Sequence, residues 1–259
     1  MLVLVEGNIA SGKTTLCRML PGRIIEEHVA PSLLRLFYNM PGRYAFALQL
    51  AQCLGRRQIF GTALAGADQC ILDRSLVGDF AFAAWNHACG NLTDDEWHAY
   101  LEYAGGPDVP SILAGAMLAP DPRLAAERQT VCIVYLHDDA AACRARAMKR
   151  SGTEDAASAE YFAGLQLAHD LAWQQLVAAN VPGIRLVRLS WTRYHGARAS
   201  HTERMAVVNA IFSTPAEEEP RTTTLSMVTA ATPDVPMATA MRLVALFENH
   251  IKHSPPPAM

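Results

Sequence analysis

Residues 2 to 20 leave the chain little freedom in what it builds first: Leu2-Val3-Leu4-Val5-Glu6-Gly7-Asn8-Ile9-Ala10-Ser11-Gly12-Lys13-Thr14-Thr15-Leu16-Cys17-Arg18-Met19-Leu20. An apolar, β-branched run ends at Gly7, and apolar residues at helical spacing follow Thr14 until Pro21-Gly22 stops them. Between them, Gly7 to Thr14 matches GxxxxGK[ST] in full, in the strand–loop–helix context that the pattern requires. The glycines let backbone N–H groups turn inward around phosphate oxygens, and the following helix N-terminus adds its dipole. Gly7, Asn8, Ile9, Ala10, Ser11, Gly12, Lys13, Thr14 and Thr15 are therefore the expected nucleotide phosphate cradle. Lys13 would reach the β- and γ-phosphates, and the Thr14 hydroxyl would ligate Mg²⁺.

Further strands are expected at Arg23 to Glu26, at Gln69 to Leu72 ending on Asp73, at Val131 to Leu136 and at Ile184 to Leu189. Val131 to Leu136 is apolar without alternation, the mark of a strand buried on both faces of a parallel sheet. Helical patterns separate them: 31 to 40, 43 to 65 after a Pro41-Gly42 break, 77 to 87, 93 to 103 opened by a Thr93/Glu96 capping box, 139 to 149, 159 to 179 and 200 to 212. Strands alternating with helices predict an α/β fold with a five-stranded parallel sheet flanked by helices on both faces. Residues 1 to 212 read as one domain. The Thr-, Pro- and Glu-rich residues 213 to 259 read as an appended tail holding one amphipathic helix over 238 to 251, whose removal is expected to leave catalysis largely intact.

A net charge of −3 supplies no basic field for a nucleic-acid polymer, so the expected partner is a small molecule. The six cysteines show no CxxC or zinc spacing, and the nine histidines no HExxH. No apolar run reaches membrane-spanning length, and no targeting peptide precedes the first strand, so the expected location is cytoplasmic, or the host cytosol or nucleus if the protein is viral.

The cradle alone leaves a GTPase, an ATPase or a small-molecule kinase open. A GTPase would need an NKxD-type base reader, and none is present. Cys70-Ile71-Leu72-Asp73 would serve an ATPase as a magnesium-binding strand end, but Arg74-Ser75 follows directly, placing a cation at the carboxyl edge of the sheet where open α/β folds bind ligands.

Five separated blocks resemble the deoxynucleoside kinases, the group of deoxycytidine, deoxyguanosine and mitochondrial-type thymidine kinases, with herpesvirus thymidine kinases more distant. The resemblance covers residues 2 to about 190. The first, Glu6 to Thr15, is similar to EGNIxxGKST. The second, Ile25-Glu26-Glu27-His28-Val29-Ala30, is similar to PEPVA and implies Glu27 as the base on a sugar 5′-hydroxyl; Glu26 stands where proline is usual, leaving a one-residue ambiguity. The third, Tyr38 to Gln49, keeps the spacing between a tyrosine on the sugar 3′-hydroxyl and a glutamine on the base edge, and Arg56 two helical turns on matches an arginine that shapes base selectivity. The fourth, Asp73-Arg74-Ser75-Leu76-Val77-Gly78-Asp79, resembles [DE]RSxxxD. It implies Asp73 near Mg²⁺, Arg74 on the 5′-oxygen and phosphate, and Asp79 on the base edge. The fifth, Arg144 to Asp155, resembles an arginine-bearing lid, implying Arg146 and Arg150 on the ATP phosphates and Asp155 on the sugar 3′-hydroxyl; Gly152 stands where a further lid arginine is common.

The resemblance implies a P-loop kinase fold and transfer of the γ-phosphoryl group of ATP, with Mg²⁺, to the 5′-hydroxyl of a deoxynucleoside, by a homodimer active in nucleotide salvage for DNA synthesis. Glu27, Arg74 and Lys13 would carry the catalysis, with Thr14 and Asp73 holding the metal. Asp79 suits a base with an exocyclic amine, or a broad specificity, and Arg56 nearby would hold it ionised; Gln52, where the family is usually small, leaves a thymidine-preferring enzyme open. A nucleoside monophosphate kinase is disfavoured, since residues 30 to 45 offer only Arg35 and Arg43. From another class, a P-loop ATPase or nucleotide-binding regulator stays open, distinguished by turnover without an acceptor.

Overall fold

The structure, a computed structural model, describes residues 1–27, 29–66, 68–117, 130–150, 157–190, 200–212 and 234–251. Five strands, β1 (Leu2–Gly7), β2 (Arg23–Ile25), β3 (Cys70–Asp73), β4 (Val131–His137) and β5 (Ile184–Ser190), form one sheet in the order β2-β3-β1-β4-β5, with every neighbouring pair parallel. Leu2 pairs with Cys70 on one side and Val131 on the other, so β1 lies at the centre and delivers Gly7 to the carboxyl edge.

Side-chain alternation divides the core. Leu2, Leu4, Leu72, Val131 and Ile133 face a large cluster built with α3 (Pro41–Ala65), α4 (Leu76–Ala88), α5 (Asp94–Ala104), α6 (Val109–Met117) and α8 (Ala159–Ala179). Val3, Val5, Ile71, Cys132, Val134 and Leu136 face a smaller one with α1 (Lys13–Cys17) and α9 (His201–Phe212). This accounts for apolar strands without alternation, because both faces are covered.

Helix boundaries follow local chemistry. The Thr93/Glu96 capping box is present in both directions at the start of α5. Pro41 does not break the helical region as expected. It opens α3 at the first helical position, and the interruption after α2 (Pro31–Asn39) falls on Met40, whose φ of −144° is non-helical. Asp139 caps α7 (Ala140–Lys149) by accepting from the Ala142 N–H.

In the C-terminal region, α10 (Met237–Ile251) packs on α4 and α8 rather than standing apart. Val235, Ala240, Leu243 and Phe247 are buried in the large cluster, Phe247 meets Phe80 edge-on at 5.5 Å, and Gln175 donates to the Phe247 carbonyl at 2.9 Å. No helix among the described residues is long and apolar enough to cross a membrane.

Candidate active site

The cradle forms at the carboxyl end of β1. Gly7 (φ 142°) and Gly12 (φ 98°) take conformations that side-chain-bearing residues avoid, and a Cβ at Gly7 would lie 2.6 Å from the Leu136 carbonyl. Asn8 ties the loop to α8, donating to the Phe162 carbonyl at 2.9 Å, while its Oδ1 accepts from the Ile9 N–H. The Lys13 Nζ, almost fully buried, donates to the Asn8 carbonyl at 2.7 Å. Burial, with repulsion from Arg74, lowers the Lys13 ammonium to about 8. Ser11 Oγ is buried inside the loop and bonds to no protein atom.

Beside the loop, the Thr14 hydroxyl donates to Asp73 Oδ2, while the buried Asp73 Oδ1 has no protein partner. A hydroxyl and a carboxylate next to a phosphate cradle form an oxygen donor set of the kind Mg²⁺ completes with phosphates and water. The described residues hold no group of three or more His, Cys, Asp or Glu side chains placed to share a metal.

Glu27 and Glu26 part company after β2. Glu26 points to solvent and pairs with Arg18 at 3.0 Å, both more than 60% exposed. Glu27 turns inward onto Arg56 and Arg74, the latter with its Nε 3.2 Å away. Burial raises the Glu27 carboxyl, but Arg74, Arg56 and Lys13 outweigh it and hold it at about 2. Glu27 lines a cleft of about 210 Å³ with Ile25, Glu26, Gln52, Arg56, Asp73 and Arg74.

Helix α3 supplies one wall, with Gln49 and Arg56 on its buried side. Arg56 is a three-way node: Nη1 pairs with Asp79, while Nη2 pairs with Glu27 and also reaches Gln52 Oε1 at 3.1 Å. Asp79, in the first turn of α4, is fully enclosed. Burial pushes its carboxyl up to about 7, against the opposing pull of Arg56. Tyr38 sits apart from this cleft, against Phe37 and Tyr161.

Arg74 joins the two halves. Its Nη1 donates to the Gly7 carbonyl at 3.3 Å, its Nε faces Glu27, and its guanidinium lies 4.6 Å from the Phe82 ring centroid. Its φ of 76° places a non-glycine residue in the left-handed region, a conformation worth of order 1 kcal/mol of strain that clusters at functional sites.

In α7, Arg146 donates through Nε to the Ala10 carbonyl at 2.8 Å and through Nη2 to Asp138 at 2.5 Å, so it braces the cradle against the end of β4. Arg150 lies exposed at the C-terminal cap of α7. Asp155 and Gly152 lie outside the described residues. Sequence reasoning gave no role to Asp138, to Glu6, or to the buried chain in which Gln166 contacts Asn8, Tyr135 and Asp170. Glu6 was detectable as a charge closing an apolar strand; the other contacts join residues distant in the chain and left no local signal.

The sheet order, the cradle on its central strand and the carboxylate–arginine cleft at its edge define a protein of the P-loop kinase fold. The family model for deoxynucleoside kinase matches residues 3–193, and the chain belongs to that family. It is 32% identical over 111 residues, 39% of this chain and 47% of the relative, to a probable deoxycytidine kinase of fowlpox virus. It is 25% identical over 203 residues, 65% of this chain and 72% of the relative, to deoxycytidine kinase 2 of Gallus gallus. The first match spans about half of that relative's length. Among solved structures, deoxyadenosine kinase from M. mycoides with bound dCTP aligns over 83% of this chain and 100% of that one, at 17% identity and a TM-score of 0.61. The same enzyme with dCMP and a flexible dCDP aligns over the same shares at 18% identity and a TM-score of 0.62. These structural likenesses bear on the fold.

Proposed function

We propose that this protein is an ATP-dependent deoxynucleoside kinase that phosphorylates the 5′-hydroxyl of a deoxynucleoside held in the cleft lined by Glu27, Gln52, Arg56 and Arg74, with Asp79 buried behind Arg56. The observation that carries this reading is the position of Arg74, which contacts the phosphate cradle at Gly7 and the acceptor cleft at Glu27 with one guanidinium. A cation shared by donor and acceptor sites belongs where charge develops during phosphoryl transfer.

Glu27, ionised and within the acceptor cleft, takes the proton of the 5′-hydroxyl. Lys13 and the loop amides hold the donor phosphates, and the unpartnered Ser11 hydroxyl is available to them. Thr14 and Asp73 would hold Mg²⁺, which supplies charge neutralisation between the donor phosphates. Arg146 keeps the loop in shape, Arg150 at the end of α7 would meet the donor phosphates, and Gln49 on the buried side of α3 would meet the base. The base is one with an exocyclic amine, donated to ionised Asp79; the relatives named for deoxycytidine, an amine-bearing base, support this preference. A homodimer in the cytoplasm, or in the host cytosol or nucleus for a viral chain, is part of the same reading.

The test is ADP release with ATP and Mg²⁺, without acceptor and then with each of the four deoxynucleosides. Acceptor-dependent turnover supports the kinase. Equal turnover without acceptor returns the assignment to a P-loop ATPase.

A further inference from the structure

Glu6 is a charged residue in the central strand, 1% exposed, between the apolar Val5 and the first glycine of the cradle. Its Oε1 accepts from the Ser75 N–H at 2.7 Å and from the Ser75 hydroxyl at 2.5 Å. Its Oε2 is buried and has no hydrogen-bond donor. A carboxylate enclosed with only one oxygen satisfied is costly unless something nearby needs its charge or shape.

What lies nearby is Arg74. Glu6 grips Ser75, the residue after Arg74, and the Arg74 N–H is held from the other side by the Val5 carbonyl at 3.0 Å, next to Glu6 in β1. The left-handed Arg74 is thus clamped on both sides by consecutive residues of one strand. Gly78, one helical turn further, completes the arrangement: a Cβ there would fall 2.5 Å from Glu6 Oε2, 2.8 Å from Arg74 Cγ and 3.1 Å from Arg74 Nη1. The missing side chain at 78 is the space through which Arg74 runs past Glu6. The two charges also act on each other, since Arg74 opposes the upward push of burial on the Glu6 carboxyl.

We infer that Glu6 is a positioning residue for Arg74: by holding Ser75 and facing the arginine stem across Gly78, it fixes the guanidinium between the cradle and the acceptor cleft. Glu6 touches neither substrate. It acts through Arg74, and the inference rests on the role of Arg74 proposed above.

A double-mutant cycle with Glu6→Gln and Arg74→Lys tests it, reading kcat and both KM values beside thermal melting. Glu6→Gln is isosteric and keeps an acceptor for Ser75, but removes the charge facing Arg74. It should lower kcat at least tenfold, with KM for ATP and for the deoxynucleoside within about threefold, and should cost less than twofold in the Arg74→Lys background. Equal losses in both backgrounds, or no loss in kcat, overturn the inference while leaving the function intact. Wild-type kcat in Arg74→Lys overturns the proposed role of Arg74 itself. Should Glu6→Gln fail to fold, Gly78→Ala places a helix-favouring methyl group into the same gap. Lowered kcat in folded Gly78→Ala, absent in the Arg74→Lys background, supports the inference; wild-type kcat overturns it.

Discussion

The Nε of Arg74 stands 3.2 Å from the Oε1 of Glu27. This ion pair joins the end of β3 to the segment after β2, two elements about fifty residues apart in the chain, and makes one site of a phosphate loop and a cleft. It also keeps Glu27 ionised, because Arg74 with Arg56 and Lys13 outweighs the effect of burial.

Glu27→Gln removes the proton acceptor while keeping the shape. Its expected effect is a fall in kcat of about 10²- to 10⁴-fold, with KM for ATP nearly unchanged, read by coupled ADP release. Glu26→Gln, on the surface pair with Arg18, should change kcat less than about twofold.

Lys13 sets an alkaline limit. With its ammonium lowered to about 8, the free enzyme loses the charge above that pH, so kcat/KM for ATP should fall through about pH 8. In Lys13→Arg, whose guanidinium stays protonated, the residual activity should show no such limb.

Arg56→Met leaves Asp79 enclosed without its cation. Removing one partner of a buried pair costs about 3 to 5 kcal/mol, to be read by urea unfolding at pH 8. At pH 5 the loss should be smaller: the folded-state carboxyl of Asp79, already raised to about 7, rises further without Arg56 and is then protonated at little cost. Asp79→Asn in the same chain should recover much of the loss at pH 8.

Asp79 also bears on the choice of base. Ionised, it accepts from an amine, so kcat/KM for deoxycytidine and deoxyadenosine should exceed that for thymidine and should rise with pH through about 7. Thymidine preferred over both would point to Gln52, which shares Arg56 with Glu27, as the residue shaping the pocket.

The tail region has a structural part. Phe247 is 2% exposed against Phe80 of α4, and Phe247→Ala should cost about 3 to 5 kcal/mol in denaturant unfolding. Deleting residues 234 to 259 should lower the melting temperature and, because α4 carries Asp79, weaken nucleoside binding. The kcat of the same deletion checks the expectation that removal of residues 213 to 259 leaves catalysis largely intact.

Local chemistry alone determined much of this protein. The phosphate loop, its strand and its helix were legible because glycine conformation and the Lys-Thr pair act within a few residues. The five strands were legible as apolar runs between helical periods, and the α5 cap as a Thr/Glu pair three residues apart. The matched blocks also pointed to Glu27, Arg56, Arg74 and Asp79.

Tertiary structure decided what those residues do to one another. Whether Glu26 or Glu27 meets the arginines of α3 and β3, and which of them pairs with Arg18 at the surface, was set by the fold. The raised Asp79 carboxyl follows from an enclosure that several helices build together, against a cation the sequence did show. The clamp of Glu6 on Ser75 joins residues 69 positions apart, and the docking of α10 on α4 and α8 required the completed face on which it rests. Backbone preference and motif chemistry are short-range and can be read along the chain. Burial, charge pairing and the cost of an unsatisfied oxygen depend on which distant segments the sheet brings together, and only the folded chain expresses them.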